Sequence, residues 1–221
     1  MLVSGKTPNF PENLKCAYIM QPIENKIISR IYGRGRGWAF TKTDFAAEFG
    51  ESNIHQALSS LSKSGRIRRV CRGVYDYPQF SDLLQQPLSP DIDQVAHALG
   101  RKFNWRIQPS GDAALNLLGL STQVPGRWVY LSDGPDRQYT IGKTLLVFKQ
   151  TALKEVGFRH PKSGLLVHAL KALGRERVDA AVIGAVRARL SDKDREQIPR
   201  DTRQVTGWVH DLIKKICQRA D

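Results

Sequence analysis

A chain of 221 residues with 41% apolar content can bury one large core or two modest ones. It holds no window of about eighteen uninterrupted apolar residues, and residues 1–20 lack a signal peptide's apolar stretch, so a membrane span is excluded and a cytoplasmic location is expected. Lys and Arg number 34 against 21 Asp and Glu, a net charge of +13, which favours a polyanionic partner.

Residues 1–21 contain two prolines and no periodicity, so they read as a flexible extension, with Met20 as a second candidate start. Pro22 opens a helix carrying Ile23, Ile27, Ile28 and Ile31 on one face, which runs out at Gly33, Gly35 and Gly37. Trp38, Ala39 and Phe40 fit a short strand. Thr41 with Asp44 has the spacing of a capping box and starts a second short helix with Phe45, Ala46 and Phe49 inward. Ser52 is the expected cap of a third helix, in which Ile54, Ala57, Leu58 and Leu61 stand at i, i+3, i+4 and i+7. Arg66 to Val70, the turn Cys71-Arg72-Gly73 and Val74 to Tyr77 then read as strand, tight turn, strand. Three helices followed by a hairpin are the order of a winged helix-turn-helix.

Pro78 to Pro90 reads as a linker. Beyond it, Ile92, Val95, Ala96, Leu99 and Phe103 make an amphipathic helix, and Ser110 is expected to cap another through Ala113, Ala114, Leu117 and Leu118. Residues 127–150 have the texture of strands around the turn Ser132-Asp133-Gly134-Pro135. Three further helices are expected to close the chain, the last with Val205, Trp208, Val209, Leu212, Ile213 and Ile216 on one side, a core stripe before it is a dimer seam. The fold class is therefore α+β: a flexible extension (1–21), a winged helix-turn-helix (22–80), and a mixed, mostly helical domain with a small antiparallel sheet (91–221). Charge follows the same division, with ten basic and five acidic residues in 22–80, none and three in 81–100, and twelve and four in 101–175.

The polar stripe of the third helix offers Gln56, Ser59, Ser60 and Lys63, with Asn53 near its start. Gln and Asn can read adenine edges in a major groove, and Ser can bond to several bases. Lys63, Arg66, Arg68, Arg69 and Arg72 follow without an intervening acid, and such a hairpin repels itself unless phosphates lie beside it. Duplex DNA is the partner these residues imply. Five neutralised phosphates would give a slope of log affinity against log salt of about −4 to −5. A partner-docking face is the plainer reading of the same surface, and Tyr75 and Tyr77 are expected to pack beneath the hairpin.

Two segments carry a family resemblance. Arg68 to Pro78 (RRVCRGVYDYP) and Pro109 to Pro125 (PSGDAALNLLGLSTQVP) resemble the hairpin and the S-G-x-x-A-L-x-x-L-G-L-T segment of the AbiEi family of abortive-infection, type IV antitoxins. The resemblance covers roughly residues 22–150. It implies an autorepressor that binds an inverted repeat in its own promoter, and a second domain that neutralises a nucleotidyltransferase-like toxin, directly or indirectly. It also implies base reading by Gln56, Ser59 and Ser60, and backbone contacts by Arg68, Arg69 and Arg72. A homodimer on DNA is compatible with such an operator. The alternatives are a stand-alone winged-helix transcription factor, an RNA-binding adaptor without a toxin partner, and a nuclease or nucleotide-transferring enzyme using the basic middle region.

No enzyme is expected, because no catalytic constellation stands out. Gly142-Lys143-Thr144 lacks the first glycine of a P-loop, position 137 being Arg, and Trp38 occupies the third glycine position of a dinucleotide fingerprint. The five histidines (55, 97, 160, 168, 210) have no metal spacing, and Cys16, Cys71 and Cys217 form no C-x-x-C pair, so neither cofactor nor metal is expected and the cysteines read as free thiols. The basic excess of residues 101–175 is expected to touch DNA flanking the half-site.

Overall fold

The computed structural model describes residues 22–218; the expectations placed on residues 1–21, Cys16 included, lie outside them. The chain is a mixed α+β protein. Helix α1 (Pro22–Arg34) leads into strand β1 (Ala39–Phe40), a 3-10 turn (Lys42–Phe45) and helix α2 (Glu51–Lys63), followed by β2 (Arg68–Cys71) and β3 (Val74–Asp76). The three strands make one antiparallel sheet in the order β1-β3-β2.

Alternation along these strands decides what they pack against. Phe40 joins Ile27, Ile31, Phe45, Ile54, Leu58 and Leu61 in a core beneath α1 and α2, with Tyr75 and Tyr77 against it, as expected. Their neighbours Ala39 and Val74 point to the opposite face of the sheet and enter a second core. That core is built on α3 (Ile92–Phe103), whose Val95, Ala96, Ala98 and Leu99 are buried, and on a four-stranded sheet. Asp91 caps α3 through the N–H groups of Asp93 (2.9 Å) and Gln94 (3.2 Å). The stretch expected to be a linker also folds, as the hairpin β4 (Phe80–Ser81) and β5 (Gln86–Pro87).

The four-stranded sheet runs β6-β7-β9-β8, from β6 (Ile107–Ser110), β7 (Arg127–Ser132), β8 (Arg137–Ile141) and β9 (Thr144–Gln150). It is mixed, not antiparallel as expected, because β7 and β9 pair in parallel. The reason lies in burial. Leu146, Val147 and Phe148 form an apolar run that suits a central strand, whereas Arg137, Gln138 and Thr140 of β8 are exposed and suit the edge. The Ser132–Asp136 turn therefore crosses the end of β9 instead of closing a hairpin.

Helix α4 (Asp112–Leu117) joins the two larger cores, placing Ala113 in one and Ala114 in the other. After the single turn α5 (Leu153–Val156), four helices follow where three were expected: α6 (Pro161–Leu173), α7 (Ala180–Arg187), α8 (Asp192–Asp201) and α9 (Gly207–Cys217). Ser191 and Asp194 form a capping box that starts α8. Val209, Ile213 and Ile216 of α9 are buried against α6, α7 and α8. Two expected caps are displaced. Gly50, not Ser52, precedes α2, and Ser110 is held in β6 by pairing with Val129, so Gly111 precedes α4. Among the described residues, no helix is long and apolar enough to cross a membrane.

Candidate nucleic-acid interface

Helix α2 buries Ile54, Ala57, Leu58 and Leu61, and that choice turns the opposite stripe outward. Asn53, Gln56, Ser60 and Lys63 are exposed and Ser59 is half-buried. Ser52, His55, Gln56, Ser59, Ser60, Lys63 and Ser64 line one open recess along the helix. Residue reading missed His55, although it shares the helical spacing of Ser52 and Ser59. Ser60 Oγ donates to Glu24 Oε1 of α1 at 3.1 Å, so an acid sits at the edge of the face. A second acid, Glu51, is paired with Lys42, whose hydrogen bond and charge hold its carboxyl below the usual range.

The hairpin divides its cations. Arg69 and Arg72 are exposed. Gly73 allows the tight turn between them and β3, adopting φ +75°, where a side chain would be strained. Arg68 departs from expectation. Its Nε donates to Asp76 Oδ1 (3.0 Å), its Nη2 to Asp76 Oδ2 (2.5 Å) and its Nη1 to the Leu88 carbonyl (2.8 Å). Asp76 is 1% exposed, so this bidentate pair fixes β2 to β3 and to the chain after the second hairpin. Arg68 is thus a structural residue, not one of the residues free to hold a phosphate, because three of its donors already point inward. Arg66 is half-buried and engaged within the protein.

The same surface includes Lys102 of α3, whose Nζ lies 3.1 Å from where a side chain on Gly73 would begin. Nothing in the spacing of Lys102 pointed there, since the contact is made by packing between α3 and the sheet. Burial pushes the Cys71 thiol upward in pKa, against the lowering effect of Lys102 and Arg69. Cys71 and Cys217 are free thiols. Among the described residues, no group of three His, Cys, Asp or Glu side chains is placed to hold a metal ion.

A family model described as a family of unknown function, DUF6088, matches residues 26–198, from α1 into α8. The chain belongs to the DUF6088 family. The match spans the polar face of α2, the hairpin and both sheets, so these features fall within the part the DUF6088 chain shares with its family. Among solved structures, the crystal structure of the RV2827C protein from Mycobacterium tuberculosis is similar to this DUF6088 chain at a TM-score of 0.40 and 15% sequence identity, over 89% of this chain and 76% of that one. No curated protein matches it.

Proposed function

We propose that residues 22–80 form a winged helix that binds duplex DNA, with α2 in the major groove and the β2–β3 hairpin on the flanking backbone. The observation that carries this reading is the outward stripe of Asn53, Gln56, Ser60 and Lys63 beside the exposed Arg69 and Arg72. The element order and the sheet order β1-β3-β2 support it, since a wing needs its two strands adjacent and its first strand on the far side of the last. The chain acts without catalysis, as a transcriptional autorepressor at an inverted repeat in its own promoter. The resemblance to AbiEi antitoxins supports a second role for residues 91–221, neutralising a nucleotidyltransferase-like toxin. Lys102, beside the turn of the hairpin, supports contact between that region and the flanking DNA.

With Arg68 committed inside the protein, Lys63, Arg69, Arg72 and Lys102 are the cations left to meet phosphates. The expected slope of log affinity against log salt becomes about −3 to −4, shallower than the five cations of residues 63–72 would give. Fluorescence anisotropy with the DNA upstream of the chain's own gene measures it. Arg69→Ala/Arg72→Ala should weaken binding to operator and unrelated duplex alike, while Gln56→Ala should weaken only the former. A slope near zero, or unchanged affinity in the double variant, would sink the DNA reading. The antitoxin role is checked separately, by whether co-expression restores growth to cells producing the toxin encoded next to the gene.

A further inference from the structure

The β4–β5 hairpin is ordered, yet it contributes to none of the three cores. Leu88 N donates to Gln79 O (2.8 Å) at its base, Leu84 N to Ser81 Oγ (3.1 Å) at its tip, and Gln85 is held at φ +49°. The tip carries Leu83, 92% exposed, and Leu84, 57% exposed, with Phe80 behind them at 45%. Turn positions usually take Gly, Asn, Asp or Ser, which cost nothing in water. Two leucines there leave apolar surface that burial would stabilise. Asp82 adjoins them with its side chain exposed, in a chain of net +13.

A surface with the complementary character lies elsewhere on the molecule. Between α5 and the segment after α8 is a recess of about 490 Å³ whose lining includes Leu153, Phe158 and Val205 together with the cations Arg106 and Lys154. Leu153 is 54% exposed. The acids of this recess are already engaged: Glu155 pairs with Lys171 (2.8 Å), and Asp201 accepts the backbone N–H groups of Arg159 (3.1 Å) and His160 (2.9 Å). The uncommitted charges of the recess are therefore Arg106 and Lys154, both exposed and set beside Leu153.

We propose that the Leu83–Leu84 tip of one chain docks in the Leu153 recess of a second copy, with Asp82 against Arg106 and Lys154. Reciprocal exchange gives two identical contacts about a two-fold axis, which closes the assembly as a dimer instead of a filament. Charge complementarity selects this occupant, because the exposed Asp82 carboxylate beside the two leucines finds exposed cations, Arg106 and Lys154, beside Leu153 on the same chain. The proposal stands independently of DNA binding.

Sedimentation velocity on the full chain without DNA tests it. The unmodified protein should be a dimer. Leu83→Asp/Leu84→Asp and Leu153→Asp should each raise the dissociation constant about 30-fold or more, the loss of a buried anchor, with unchanged circular dichroism because all three sites face solvent. A mixture of the two variants, one keeping its recess and the other its tip, should re-form a heterodimer through one contact. A chain that stays monomeric at every concentration would overturn the proposal, as would a dimer indifferent to Leu153→Asp or one whose variants fail to complement each other. In the first case the tip serves a different protein. Anisotropy on a single half-site should be the same for both variants as for the unmodified chain, so failure here is distinct from failure of the DNA reading.

Discussion

Asp76 is 1% exposed, and a carboxylate so buried is stable as an anion only beside a cation that can hydrogen-bond both its oxygens. Arg68 supplies that cation, and its own side chain is 31% exposed, so the pair is shielded on one side only. Asp76→Ala leaves the guanidinium half-buried without its partner and should cost about 2 kcal/mol of unfolding free energy. Arg69→Ala, one position along the same strand but turned outward, should change stability by less than about 0.5 kcal/mol. Urea unfolding followed by circular dichroism separates them. Equal midpoints for the two variants would mean that Arg68 is available to bind a phosphate after all. The contrast shows why a run of arginines read from order alone overstates a binding surface. Alternate residues of a strand face opposite ways, and Arg68 and Arg69 have opposite roles for that reason.

At the scale of elements, α2 presents its polar stripe beside Glu24 of α1, which accepts from Ser60. An acid at the edge of a groove-facing helix repels phosphates and competes for a side chain that would otherwise reach a base. Glu24→Ala should therefore tighten operator binding several-fold at low salt, with the gain shrinking as salt rises. Unchanged or weaker binding at low salt would show that α2 does not face the DNA along Ser60. The α2 stripe and the hairpin were legible in the sequence because both rest on short-range period: Ile54, Leu58 and Leu61 at helical spacing, and Gly73 where the chain must reverse. Long-range relations were not legible. Nothing local in Leu145 to Phe148 says that the strand inserts between β7 and β8, and nothing in Glu24 says that it meets Ser60, since that contact is made across a helix pair 36 residues apart in sequence. The hairpin inside the expected linker was hidden for a related reason. Its strands are two residues each, too short for a pattern to register.

For the whole molecule, the three-stranded sheet is the layer on which the parts depend. Phe40 and Tyr75 face the α1–α2 core and Ala39 and Val74 face α3, so a break placed after residue 80 divides a core and not a linker. The seam is reinforced by polar contacts. Arg101 of α3 donates through Nε to Asp44 Oδ1 (2.6 Å) and through Nη2 to the Ala39 carbonyl (2.8 Å), while Arg68 reaches forward to the Leu88 carbonyl. A fragment of residues 22–85 keeps every residue of the α2 stripe and of the hairpin. It nevertheless loses Val95, Ala98 and Leu99 from one face of its sheet and leaves Asp44, half-buried, without Arg101. Such a fragment should bind a hydrophobic dye and melt without a sharp transition, whereas the full chain should melt cooperatively and leave the dye unbound. A fragment with a cooperative melt at the full chain's midpoint would show that the α3 face contributes nothing to holding the sheet. The distinction decides how truncation is read: if residues 91–221 are removed and operator binding falls, the fall measures the collapse of the recognition surface before it measures any contact between the second region and DNA. Point changes at Lys102, which alter charge without uncovering Val74, are the variants that isolate that contact.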